Sequence, residues 1–156
     1  MTHKLKLSAL LALSLLVTAC ASDKPATQSA GVDKAAIVSS TDWTSSQSVE
    51  VDLADFSFSP ETLNFQHNKP YRLHLMNTSS HAHTFSSKTF FKAIAIEKMQ
   101  KNGTDVSTAD LNQDIELRGG EQADLYFVAP TPGNYDLYCD EFLHETMGMS
   151  GKIAVL

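Results

Sequence analysis

The sequence predicts an all-β domain, an antiparallel β-sandwich with one short helix inserted. Two observations carry this expectation. From Val49 onward, apolar and polar residues alternate in short runs, the period of half-buried strands. Between the runs stand Pro, Gly and Asn clusters that break regular structure. Only Lys88–Gln100 has the longer period of a helix.

Val49, Val51 and Leu53 alternate with Glu50 and Asp52, and Phe56 and Phe58 continue that strand to Ser59-Pro60. Leu63 and Phe65 form the next run, closed by His67-Asn68-Lys69-Pro70. Tyr71, Leu73 and Leu75 share one face of a third, with Arg72 and His74 opposite; His67 and His74 are expected at the surface. In the helical segment Phe90, Phe91, Ile94 and Met99 line one side, and Asn102-Gly103 stops it. Ile115 and Leu117 lead to Gly119-Gly120, then Ala123, Leu125 and Phe127 to Pro130-Thr131-Pro132-Gly133. Tyr135, Leu137 and Cys139 form the following inward face, and Ile153 and Val155 the last. These core residues suffice for a domain spanning 48–156.

The first 47 residues read differently. Lys4 and Lys6, the apolar run Leu7–Val17 and the small residues Thr18-Ala19 predict a secretory signal over 1–19. Val17-Thr18-Ala19-Cys20 resembles the lipobox of bacterial lipoproteins, which implies acylation of Cys20. Two or more acyl chains anchor a protein stably. The expected location is therefore extracytoplasmic, lipid-anchored on the periplasmic side of a bacterial membrane. Ala21 after the cysteine favours the outer membrane in a Gram-negative cell. Residues 20–47, rich in Ala, Ser, Thr and Gln, are expected to be a flexible tether.

Loss of residues 1–19 moves the formal charge from −6 to −8, because Lys4 and Lys6 go with them. An acidic chain without a basic face is not built for nucleic acid. It suits a protein partner with a basic docking face. With Cys20 acylated, Cys139 is the one remaining thiol. A lone exported thiol calls for burial or a metal.

The chemistry gathers at the end of the chain. Cys139, His144 and Met149 offer thiolate, imidazole and thioether within eleven residues. Such soft donors suit copper, and one distant histidine would complete a His2Cys site with a weak axial Met. Parity with Tyr135 and Leu137 puts Cys139 inside. Met149, among Gly148, Ser150 and Gly151, is favoured over Met147 as the axial donor. The distant histidine is His81 or His83; His83 is favoured because Phe85 continues the apolar face beyond it. His81 and Met147 remain alternative ligands. Asp140, Glu141 and Glu145 read as a solvated rim, a recognition surface or a source of oxygen ligands. Zinc is disfavoured, since methionine is not among its usual ligands.

With these residues in place, Val49–Leu156 resembles the cupredoxin family, the plastocyanin- and azurin-like small copper proteins. The resemblance rests on Asn77 followed by His83-Thr84-Phe85, on Pro130–Tyr135 leading to Cys139, and on His144 and Met149–Val155 in that order. It implies a Greek-key sandwich and copper held by His83, Cys139, His144 and Met149. It also implies that Thr84 ties the ligand loops together by hydrogen bonds. Phe142-Leu143 stands where many relatives carry Pro-Gly, and the loop is unusually acidic. The expected activity is electron transfer without substrate turnover, to a redox partner. The alternative is copper sequestration, tolerance or delivery to another exported protein.

Overall fold

The computed structural model describes residues 31–156, apart from 110 and 112. The expected signal segment and Cys20 lie outside the described residues, as does the tether up to residue 30. Two helices, α1 (Lys34–Ser40) and α2 (Lys88–Ala93), accompany eleven strands. These are β1 (Gln47–Ala54), β2 (Ser57–Ser59), β3 (Thr62–Phe65), β4 (Pro70–Asn77), β5 (His83–Ser86) and β6 (Ala95–Lys101). They continue as β7 (Thr104–Val106), β8 (Asp114–Leu117), β9 (Gln122–Val128), β10 (Gly133–Tyr138) and β11 (Ser150–Val155). Among the described residues, no helix is long and apolar enough to cross a membrane.

One sheet has the order β2-β1-β4-β9-β6-β7 and the other β3-β11-β10-β5-β8. The all-β sandwich with a short helix is thus present. Its sheets are mixed: β1 runs parallel to β4, and β3 parallel to β11. Alternation within a strand reports which face is buried, not the direction of the neighbour, so the sequence could not separate the two pairings.

The inward residues follow the expected parity. Val51, Leu53, Tyr71, Leu73, Leu75, Ala123, Leu125 and Phe127 come from one sheet; Leu63, Phe65, Ile115, Leu117, Tyr135, Leu137, Ile153 and Val155 come from the other. Phe127 of the first sheet packs edge-on to Phe65 of the second at 5.2 Å and to Phe90 of α2 at 5.4 Å. That aromatic group couples both layers and the helix, with edge-to-face geometry that adds to area burial.

Three expectations are corrected. The predicted helix ends at Ala93, and the chain turns extended at Ile94 (ψ 153°) to form β6. Sheet pairing between β9 and β7 overrides the local helical period. Asn102 and Gly103, both at positive φ, form the hairpin turn from β6 to β7, the turn that Asn-Gly favours. Second, Phe56 does not continue the first strand. It sits at φ 62° in the turn between β1 and β2. Third, the tether expected over 20–47 is ordered in its later part. Asp33 accepts from the Ala36 amide at 3.0 Å and caps α1. Seven residues are too few for a stable isolated helix. Ala35 and Val38 face a groove shared with Phe91, Ile94 and Ile96, and Lys34 donates to the Lys92 carbonyl at 2.7 Å.

Phe127→Ala should cost about 3–5 kcal/mol of folding stability, the usual range for emptying an aromatic site in a core. Denaturant unfolding of the variant against the parent protein measures it.

Candidate metal centre

Cys139 follows the end of β10 with its side chain fully buried, as parity with Tyr135 and Leu137 requires. Its amide donates to the Met149 carbonyl at 3.1 Å, which closes the base of the loop 140–148. Inside that loop the His144 amide donates to Glu141 O at 3.0 Å and the Met149 amide to His144 O at 2.9 Å. Gly148 at φ 105° permits the return. The loop therefore delivers Cys139, His144 and Met149 from one continuous hydrogen-bonded turn.

His83 opens β5, whose four residues are all buried. The segment before it is held by Asn77, which is fully buried. Asn77 Nδ2 donates to the carbonyls of His81 and Leu117, each at 2.8 Å, while Oδ1 accepts from the Ser79 amide at 3.0 Å. A Cβ on Gly119 would stand 2.8 Å from the Ser80 carbonyl carbon, so glycine is needed for that approach.

The donor atoms meet. His83 Nδ1 lies 3.2 Å from His144 Nδ1, and Cys139 Sγ lies 3.6 Å from His144 Nδ1 and 3.9 Å from His83 Nδ1. A trigonal ion with bonds of about 2.0 Å to nitrogen and about 2.3 Å to sulfur needs donor separations of roughly 3.5–3.7 Å. Among the described residues, this is the group of three or more His, Cys, Asp or Glu side chains that could hold a metal.

Around the triangle, the Thr84 amide donates to Cys139 Sγ at 3.4 Å. The Thr84 hydroxyl accepts from the Asp140 amide at 2.8 Å and donates to the Asp140 carboxylate. Thr84 thus joins the start of β5 to the segment that follows Cys139. Asp55 was not anticipated. Its Oδ1 lies 3.4 Å from His83 Nε2 and 3.3 Å from His81 Nδ1. Phe56 packs edge-on to His144 at 5.3 Å between ring centroids, also unanticipated. Both residues sit at a hairpin tip whose position near the site depends on sheet pairing, which the sequence does not spell out.

A model of the cupredoxin-like domain matches residues 9–155. The chain belongs to the cupredoxin-like family. Among curated protein sequences, no relative matches it. Solved cupredoxin structures are similar in fold. Sodium-dithionite-reduced auracyanin from the photosynthetic bacterium Roseiflexus castenholzii superposes with a TM-score of 0.51 at 19% identity, covering 72% of this chain and 98% of that one. Auracyanin B gives 0.52 at 20% identity, covering 74% and 93%. The McoA multicopper oxidase from the hyperthermophile Aquifex aeolicus gives 0.59 at 13% identity, covering 74% of this chain and 30% of its own. At these identities the likeness concerns the fold.

In this cupredoxin the cofactor is copper, and His83, Cys139 and His144 form the candidate copper-binding group. Two imidazoles and a thiolate are the equatorial set that a type 1-like copper site uses. Met149 is fully buried at the foot of the loop. The other two candidates stand outside: Met147 is 58% exposed and the His81 side chain 70%. His67 is exposed and lies 3.0 Å by Nδ1 from the Leu156 carbonyl. The expected surface site of His74 is half-buried instead, with Nδ1 2.8 Å from Asp124 Oδ1. The loop rim is not simply acidic, because Phe142 (85% exposed) and Leu143 (52%) project beside Glu145.

Burial lowers the pKa of His83 from its ordinary 6.5, with the nearby His144 adding to the effect and Asp55 opposing it. Above pH 6.5 the ring is neutral in folded and unfolded chains alike, and ready to ligate. As pH falls through 6.5, the unfolded chain takes up a proton that the folded site resists. The metal-free protein should therefore lose stability on acidification below that point. His83→Gln should flatten the slope, as denaturation midpoints between pH 8 and 5 would show.

Proposed function

We propose that this cupredoxin is an electron carrier, with His83, Cys139 and His144 as equatorial copper ligands and Met149 as the axial one. The observation that carries the reading is the triangle of donor atoms, 3.2–3.9 Å on a side, with His83 and Cys139 buried and His144 half-buried. Copper supplies a one-electron Cu(I)/Cu(II) couple. The protein supplies donors that need little movement between the two states, because Asn77, Thr84 and the loop hydrogen bonds hold them. The Thr84 amide stabilises negative charge on Sγ. His144 is half-buried under an exposed loop, the short way out to a partner. Phe142 and Leu143 provide apolar contact there, and Asp140 and Glu145 attract a basic docking face. No substrate turnover belongs to this role.

The carrier reading places the domain outside the cytoplasm, tethered by lipid on Cys20. Support for that part comes from the Leu7–Val17 run and the Val17–Cys20 pattern. The second reading, copper sequestration or delivery, is favoured by exposed Met147 and His81 near the site.

Adding Cu(II) to the full chain should produce an intense thiolate-to-copper absorption and narrow copper hyperfine splitting. Cys139→Ser should abolish both. A carrier keeps its copper in either oxidation state and exchanges electrons quickly. Rapid bleaching, followed by loss of Cu(I) to a chelator without unfolding, would move the assignment to copper handling.

A further inference from the structure

The turn between β1 and β2 supplies none of the proposed ligands, yet its two consecutive residues touch both imidazoles. Phe56 lies against His144. It does so at φ 62°, a conformation that a bulky residue rarely adopts and that surrounding contacts must hold in place. Asp55 faces the far nitrogen of His83, the one turned away from Cys139 and His144. The same carboxylate oxygen is within reach of His81 Nδ1.

We propose that Asp55 is a positioning residue of the copper centre, fixing His83 as the Nε2–H tautomer and favouring Cu(II) over Cu(I). This rests on the copper reading above. An ionised carboxylate can only accept hydrogen bonds, so the imidazole nitrogen that faces it carries the hydrogen. A hydrogen on Nε2 leaves the Nδ1 lone pair free and aimed at Cys139 and His144. Without an acceptor at Nε2, the two tautomers compete, and one of them blocks the ligand atom.

The second effect is electrostatic. A carboxylate on the outer nitrogen makes the imidazole more basic, a common way of tuning a metal-binding histidine. It also places negative charge near the ion, which stabilises the more positive oxidation state. The Asp55 side chain is 53% exposed and its contact with Nε2 is long at 3.4 Å, so solvent screens part of this effect. His81 then has a task other than ligation: it helps to hold the Asp55 oxygen that faces His83.

Two variants of the full chain separate these effects. Asp55→Ala removes acceptor and charge, whereas Asp55→Asn keeps an acceptor and removes the charge. In the metal-free parent, nitrogen-15 correlations of the His83 ring should show the Nε2–H tautomer, and Asp55→Ala should mix the two forms. A parent ring in the Nδ1–H form, or an unchanged tautomer in Asp55→Ala, overturns the positioning role. With copper, Asp55→Asn should weaken Cu(II) binding about tenfold and leave Cu(I) binding unchanged, near the low end for outer-shell partners of metal ligands. That ratio is a rise of about 59 mV in reduction potential. Equal potentials in the parent and both variants overturn the tuning role. A chain that binds no copper at all refutes the copper reading instead, while the ring measurement still decides what Asp55 does.

Discussion

Three donor atoms from two distant parts of the chain stand within 3.9 Å of one another, and the rest of the fold serves that constraint. A thiol and two imidazoles do not gather unaided. Cys139 and His83 are fully buried, and burial disfavours the charged form of the imidazole. The protein sets this cost against hydrogen bonds that reach every segment involved. Asn77 binds the turn before His83 to the end of β8. Thr84 links β5 to the start of the ligand loop. The Cys139 amide, paired with the Met149 carbonyl, ties the two ends of that loop together. Backbone and buried amide groups thus hold every segment that carries a donor.

The sandwich beneath has a matching division of labour. Phe65, Tyr71, Phe90 and Phe127 lock the two sheets and α2 into one body. The site stands where β5 begins and β10 ends, next to the turn between β1 and β2. Turns can vary in chemistry there without disturbing the core. This explains how an acidic and partly apolar loop can occupy a family scaffold whose other members often carry Pro-Gly in that place.

The core was legible in the sequence because strand parity is a local signal. Leu137 and Cys139 fall on the face that alternation assigns to them, and so do Leu73, Leu75, Leu125 and Phe127. The triangle His83, Cys139 and His144 was legible because Cys139 is the one thiol of the domain and shares a loop with His144, while Phe85 marks the inward face beyond His83. What escaped depends on long-range pairing. Ala95–Lys101 has enough helical spacing to pass for a helix, but β9 and β7 claim it as a strand. The parallel pairing of β1 with β4 leaves no mark in either strand. Alternation carries Phe56 into the first strand and gives Asp55 no role; only the folded chain brings that turn against both histidines. The helix at Lys34–Ser40 escaped for another reason, because seven residues in an Ala- and Ser-rich stretch are too few to show a period and its stability comes from docking.

The ends of the two sheets bear on how the molecule behaves in a crowd. Every outermost strand is short: β2 and β7 have three residues each, and β3 and β8 have four. Typical strands have about five or six residues, and a long bare edge is what lets one chain zip onto another. Here each border presents only a few unpaired backbone groups before the chain turns away. Copies packed side by side would therefore find little to template on, and the domain can be concentrated on a surface without growing into a continuous sheet.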